Sequence, residues 1–426
     1  MKRSILFLRL IQFSGISLKA IVHIGTEKTG TTSIQSFLYQ NRFKLSEQGF
    51  HFLQCAGKTN NRALPSYCLN NDREDDYFRT LGITSLEARI RHKKSFIEAL
   101  EKELSELSSD TRAVIISSEH FHSRITTENE MDNVRELLST YFGDIEIICY
   151  LRDQVSTCTS YYSTVLKSGD SSSFVEFVEH CKPKNYYFNY WKMLKNWERC
   201  FGFEALNVSL FSREKFLNGN LLDDFTAKID PLLVGLLDTD VKNENESLNP
   251  SGQALLRGVN LAFPIRSLRP ELEPLRKKCQ LYISQRYGGR GMQLSPKSYY
   301  AIRQAFAQGN EAVRQQYFPN EAKILEPPVL IEKPESIELK YFLPGFEALL
   351  TILVQDGRDL LNEDEFTGIC NILFSTINEL LYQHGEMKML NTLSDQDAVL
   401  LRNVATQVEE FHIPAADRLV HSISAF

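Results

Sequence analysis

Several kinds of segment are missing from this chain of 426 residues. No run of ~18 apolar residues occurs, so no transmembrane helix is expected. No Cys-x-x-Cys pair is present, and no His/Cys cluster has zinc-ligand spacing; no metal site is expected. The eight cysteines, at positions 55, 68, 149, 158, 181, 200, 279 and 370, read as scattered reduced thiols of a reducing compartment. Glycine and proline are sparse, 21 and 14 residues, which excludes collagen-like or low-complexity architecture. A basic excess is missing too. Lys and Arg number 48 against 54 Asp and Glu, a net charge of −6, and this excludes work by bulk attraction to nucleic acid. Any anionic ligand must be held by a local site.

What is present is core-forming material. Hydrophobic residues make up 42% and aromatics 11%, with 27 Phe and 17 Tyr, so a folded chain is expected. At roughly 150 residues per domain, two to three domains are expected. The N-terminus opens like a signal peptide, with Lys2-Arg3 before Ile5-Leu6-Phe7-Leu8. Arg9 interrupts the apolar run, and no small-residue cleavage site precedes the strand at Lys19. The expected location is cytoplasmic. Sequons at Asn207 and Asn245 weigh against it, although Asn207 falls in a predicted strand.

Nearly unbroken β-branched runs at Ala20–Ile24, Ala113–Ser117, Ile145–Leu151 and Leu206–Phe211 predict parallel strands covered on both faces. Helical periodicity separates them, over Thr32–Gln48, Lys94–Leu107, Asn129–Phe142, Gln154–Lys167 and Tyr187–Phe201. This alternation predicts an α/β fold with a central parallel sheet flanked by helices. From Asn243 to Phe318 the pattern is helices joined by a Gly-rich turn, Tyr287–Gly291. A Pro-rich stretch at Leu325-Glu326-Pro327-Pro328 marks the expected boundary. The predicted organisation is a lead-in over 1–18, an α/β domain over 19–325 and an all-helical extension over 326–426. The extension has helical patterns near 338–356, 363–383 and 394–411. The last places Leu400, Val404, Val408 and Phe411 on one face after a candidate N-cap at Ser394.

The first strand runs into Gly25-Thr26-Glu27-Lys28-Thr29-Gly30-Thr31-Thr32 and then a helix. A strand, loop and helix N-terminus in succession cradle phosphates, because backbone N–H groups and the positive helix end face the anion. In the nucleoside-triphosphate version, lysine directly follows the second glycine. Here Thr31 holds that position, and the lysine is Lys28, inside the loop. The loop is P-loop-like, but it is not the MgATP form. A third strand ends in Tyr150-Leu151-Arg152-Asp153-Gln154, which places Arg152 at the crevice where open α/β sheets bind ligands. Ser160 follows one to two turns into the next helix. A guanidinium and a hydroxyl so placed can grip one phosphate from two sides. The second predicted strand ends in Ser117-Ser118-Glu119-His120-Phe121-His122. Alternation along a strand implies that Glu119 and His120 face opposite ways.

The loop Glu27–Thr32, together with Arg152 and Ser160 and followed by Tyr162, resembles the PAPS-dependent sulfotransferases, and most of all their bacterial carbohydrate sulfotransferase-like members. The resemblance covers residues 19–325, with softer matches at Asn245–Leu248 and Gly309-Asn310-Glu311. It implies that Lys28, Thr29, Gly30, Thr31 and Thr32 bind the 5′-phosphosulfate of PAPS, and that Arg152 and Ser160 bind its 3′-phosphate. It also implies a base at the end of the second predicted strand. Glu119 fits that position best, with His120 and His122 as alternatives. Lys28 would stabilise the leaving group, and 3′,5′-ADP would be the product. The implied acceptor is a hydroxyl, favoured as that of a carbohydrate, and Tyr186–Trp191 reads either as a sugar-stacking surface or as helix core. Lys167 reads as a solvated helix end, with a contact to the acceptor or a phosphate as the alternative, and Arg286 and Arg290 read as further candidate phosphate contacts. Two other readings stand beside this one: an ATP-dependent kinase with an irregular P-loop, and a non-catalytic carbohydrate- or partner-binding module on the same fold.

Overall fold

The computed structural model describes residues 18–241, 247–330, 337, 339–357 and 359–381, with isolated positions from 399 to 417. The sequon at Asn245 and, apart from isolated positions, the predicted helix over 394–411 lie outside the described residues. The rest falls into two compact units. The first takes residues 18–157, 181–241 and 301–328; the second takes 158–180, 247–300 and the described residues from 329 onward.

The first unit is built on a five-stranded sheet in the order β2-β3-β1-β4-β5. Its strands are β1 (Lys19–His23), β2 (Phe50–Phe52), β3 (Ala113–Ser117), β4 (Asp144–Leu151) and β5 (Leu206–Leu210), and every pairing is parallel. The α/β class with a central parallel sheet is therefore observed. Four strands match the predicted runs to within a residue or so. The fifth, β2, was not predicted, because three residues carry too little pattern to register. The predicted helix Thr32–Gln48 breaks at Asn41 into α1 (Thr31–Gln40) and a short helix, Arg42–Glu47. There the Asn41 amide turns back to the Phe37 carbonyl at 3.0 Å.

Successive strand residues feed two separate cores, as side chains that alternate across a sheet must. Ala20, Val22, Val114, Ile116, Ile147 and Cys149 share a core with α2 (Leu86–Ser105), α3 (Glu128–Tyr141) and α5 (Tyr190–Phe201); α4 (Gln154–Lys167) follows β4 in the chain. Ile21, Ala113, Ile115, Ile148 and Tyr150 face α1 and α6 (Leu221–Ile229). Both faces of the sheet are covered, which explains why the strands read as unbroken apolar runs. The helices start where local chemistry stops the extended chain. Ser85 caps α2, and Thr127 with Glu130 forms a reciprocal capping box on α3.

The second unit is helical among its described residues. Its helices include Pro250–Ala262, Glu273–Arg286, Leu339–Ile352 and Glu363–Leu381. Asn249 caps the first of these, with Pro250 in its first turn. A Cβ at Gly345 would lie 2.1 Å from the Tyr287 hydroxyl, so a larger residue there would displace the tyrosine ring. Among the described residues, no helix is long and apolar enough to cross a membrane. All eight cysteines are free thiols.

Candidate functional site

The carboxyl ends of β3, β1 and β4 are neighbours in the sheet. The chain leaves β1 toward β2 on one side, while β4 lies on the other, so the strand order reverses here. Such a switch point opens the crevice in which α/β sheets bind ligands.

The loop after β1 starts at Gly25, with φ 96°, and ends at Gly30, with φ 74°. Both are left-handed conformations that favour glycine. Lys28, at the tip, also has positive φ, 67°, which is uncommon for a residue with a side chain. The loop is tied inward. Thr26 gives both its N–H and its hydroxyl to the Tyr150 carbonyl, at 3.2 and 3.0 Å. The buried Thr29 hydroxyl donates to the Thr26 carbonyl. Gly30 is the N-cap of α1 and supplies no side-chain cap. The first-turn amides of Thr31 and Thr32 thus keep the anion-directed geometry of a helix start.

Arg152 emerges from β4, and its Nη1 donates to the Lys28 carbonyl at 3.1 Å. Burial lowers its pKa from the ordinary value, with the Asp153 charge opposing. The arginine therefore braces the loop tip. Beyond it opens a cleft of about 200 Å³ lined by Asp153, Gln154, Ile302, Arg303, Asn310 and Arg314. The Gln154 and Asn310 amides pair reciprocally at 2.9 Å there.

Glu119 follows β3, and a Cβ on Gly25 would lie 3.2 Å from its Cα and Cβ. Carboxylate residue and loop are in direct contact. Glu119 is helical, with φ −66° and ψ −12°, and it caps the single turn His120–Ser123. Strand alternation therefore does not apply, which corrects the expectation that Glu119 and His120 diverge: His120 Nε2 lies 4.0 Å from Glu119 Oε1. The turn is anchored from below. Phe121 is fully buried edge-on to Trp197, and buried His122 donates from Nε2 to the Tyr187 carbonyl at 2.9 Å.

Sequence reasoning left four neighbours unassigned. Glu119 Oε2 accepts from Gln35 Nε2 at 2.6 Å and from Asn60 Nδ2 at 2.8 Å. Glu27 accepts from the Tyr187 hydroxyl at 3.2 Å. Its carboxyl is raised above its ordinary pKa chiefly by burial, with the Glu119 charge adding and the Ser123 and Tyr187 bonds opposing. Gln35 alone left a trace in the sequence, as a polar residue on the buried side of a helix. Asn60 and Tyr187 meet the site only through distant contacts, whereas Glu27 stands in the loop itself and only its partner Tyr187 is distant.

The aromatic segment Tyr186–Trp191 is mostly core, since Tyr187, Phe188 and Tyr190 are all buried. Tyr186 and Trp191 are half-buried. The first unit thus brings together Lys28, Thr29, Gly30, Thr31, Thr32, Arg152, Glu119 and His120. Ser160, part-exposed on α4, belongs to the second unit. So do Lys167, Arg286 and Arg290. Lys167 is half-buried, and burial lowers its pKa, so it is not a fully solvated helix end.

Three histidines around this site are held neutral. Burial lowers His23 to about 3 and His122 to about 4. His120 is lowered to about 3 by burial and by the Arg62 and Arg124 charges. Their ordinary value is 6.5. As pH falls below that value the unfolded chain binds protons that the folded chain refuses, so stability falls with pH. The slope is roughly 1.4 kcal/mol per pH unit for each histidine, until the folded values are reached. Urea unfolding at several pH values from about 7 to about 5 should show this decline; a flat profile would contradict the buried neutral state.

No family model matches the chain. An Archaeoglobus fulgidus protein described as uncharacterized is 29% identical over 161 residues, which is 34% of this chain and 42% of that protein's length. Among solved structures, a sulfotransferase from Alicyclobacillus acidocaldarius aligns over 69% of this chain and 94% of its own. The TM-score is 0.38 and the identity 15%.

Proposed function

We propose that the protein is a sulfotransferase that moves a sulfuryl group from PAPS to an acceptor hydroxyl, that of a carbohydrate, and releases 3′,5′-ADP. One juxtaposition carries the reading. A lysine-bearing anion loop, an arginine bonded to that loop and a carboxylate residue packed against it stand at three adjacent strand ends. PAPS supplies the activated sulfuryl group. The amides of residues 28–32 and the hydroxyls of Thr31 and Thr32 would hold its 5′-phosphate, and Lys28 would stabilise the negative charge left there. Arg152 would hold the 3′-phosphate, with the adjoining cleft offering room for part of the nucleotide.

Glu119 would take the acceptor proton as the new O–S bond forms and the bond from sulfur to the bridging phosphate oxygen breaks. His120 is a poor rival, because a histidine pressed down to about 3 accepts a proton only weakly at neutral pH.

The test is a thermal-shift titration with 3′,5′-ADP. A ligand that binds only the folded state adds about 2.7 kcal/mol at a hundredfold excess over its Kd. Stabilisation by 3′,5′-ADP without Mg²⁺ is the expected result. Stabilisation by MgATP alone would replace this reading with a kinase, and stabilisation by neither would favour a non-catalytic module.

A further inference from the structure

We propose that Gln35 and Asn60 are positioning residues for Glu119: their two amides hold one carboxylate oxygen and leave the other to take the acceptor proton. The proposal rests on the reading of Glu119 as the base. Both amides donate to Oε2, at 2.6 and 2.8 Å. Among the described residues Oε1 accepts no hydrogen bond; the neutral His120 ring stands beside it, with Nε2 at 4.0 Å. The two oxygens are therefore different in kind.

The donors come from elements that are themselves fixed. Gln35 is buried on α1, the helix whose N-terminus closes the anion loop. A bond from this helix to Glu119 sets the carboxylate at a constant distance from whatever the loop holds. Asn60 is oriented by Ser118, whose hydroxyl donates to Asn60 Oδ1 at 2.8 Å and so turns Nδ2 toward Glu119. Its neighbour Asn61 is fully buried and pins the segment to the end of β3. Asn61 Oδ1 accepts the Ser117 N–H at 2.8 Å, and Nδ2 donates to the Leu53 and Gly57 carbonyls at 2.8 and 3.0 Å. The turn also needs Gly57, with φ 132°, where a Cβ would lie 2.1 Å from the Asn60 carbonyl oxygen.

Two fixed donors on one oxygen restrict the carboxylate's rotation about its last torsion. A general base works only within hydrogen-bond reach of the proton it removes, and a misplacement near 1 Å can cost about 10²-fold in rate.

The test pairs spectroscopy of the full chain with turnover. The carboxylate stretch of Glu119, assigned by infrared difference against Glu119→Gln, should shift in Gln35→Leu and again in Asn60→Leu. Hydrolysis of PAPS, with water as the acceptor and 3′,5′-ADP release as the readout, should slow about 10–100-fold in either variant, with Kd for 3′,5′-ADP unchanged. In a Glu119→Gln background the same substitutions should have little further effect, since there is then no base to position. Gln35→Met and Asn60→Ser serve where a leucine variant fails to fold. An unmoved carboxylate band overturns the proposal while leaving the base assignment standing. Equal losses with and without Glu119 also overturn it, by showing a purely structural role. Undiminished turnover in Glu119→Gln alone removes the base assignment itself and this proposal with it.

Discussion

Glutamine at position 119 is expected to slow sulfuryl transfer from PAPS by about 10²–10⁴-fold, the usual contribution of a positioned general base. The substitution Glu119→Gln removes only the capacity to take a proton. The amide has the shape of the carboxylate, and its oxygen can still accept from Gln35 and Asn60, so the bonds at 2.6 and 2.8 Å have a partner to close on. Folding and nucleotide binding should therefore survive, and the loss should fall on kcat. Steady-state turnover measured beside melting temperature and affinity for 3′,5′-ADP separates these effects. Near-normal kcat in a folded variant would remove Glu119 from the chemistry. Neutral His120 would not then inherit the role easily, because it is held near a pKa of 3 by burial and two arginines.

Removing the Lys28 ammonium is expected to lower kcat by about 10²–10³-fold, the loss typical of a single preorganised donor aimed at developing charge. The negative charge shed in the reaction collects on the 5′-phosphate side, which is the side the loop would hold. Lys28→Ala makes the test, and Lys28→Met repeats it with the aliphatic stem kept. Both leave the Arg152 bond in place, because that bond is made to the backbone carbonyl of residue 28. The brace should hold and the charge alone should be lost. A Lys28→Met variant with normal turnover would show that the loop amides and the helix end suffice, and would withdraw the assignment.

Part of the site is legible in the amino-acid sequence. Loop, arginine and carboxylate each follow directly from a stretch of local pattern: an unbroken apolar strand, then glycines and threonines, or a charged residue at the strand's end. Local signals of this kind survive folding, since strand ends on one side of a parallel sheet share one crevice. The strands are legible for a related reason. Being covered on both faces, they carry no polar interruption. Where the expectation fails, a short-range rule extends one residue too far. β3 ends at Ser117, and the chain has already turned helical at Glu119, so alternation cannot predict where His120 lies.

The sequence by itself determined the α/β class, the glycine-bounded loop after β1 and the strand ends at which Arg152 and Glu119 stand, because each is written in contiguous residues whose periodicity and turn chemistry act locally. Only the tertiary structure decided which groups meet there. Asn60 reaches Glu119 across 59 positions and Gln35 across 84, while Tyr187 meets Glu27 across 160. No local pattern encodes contacts of that length. They exist because two packed cores hold β1, β3 and β4 side by side and leave buried polar groups to find partners wherever the fold brings them.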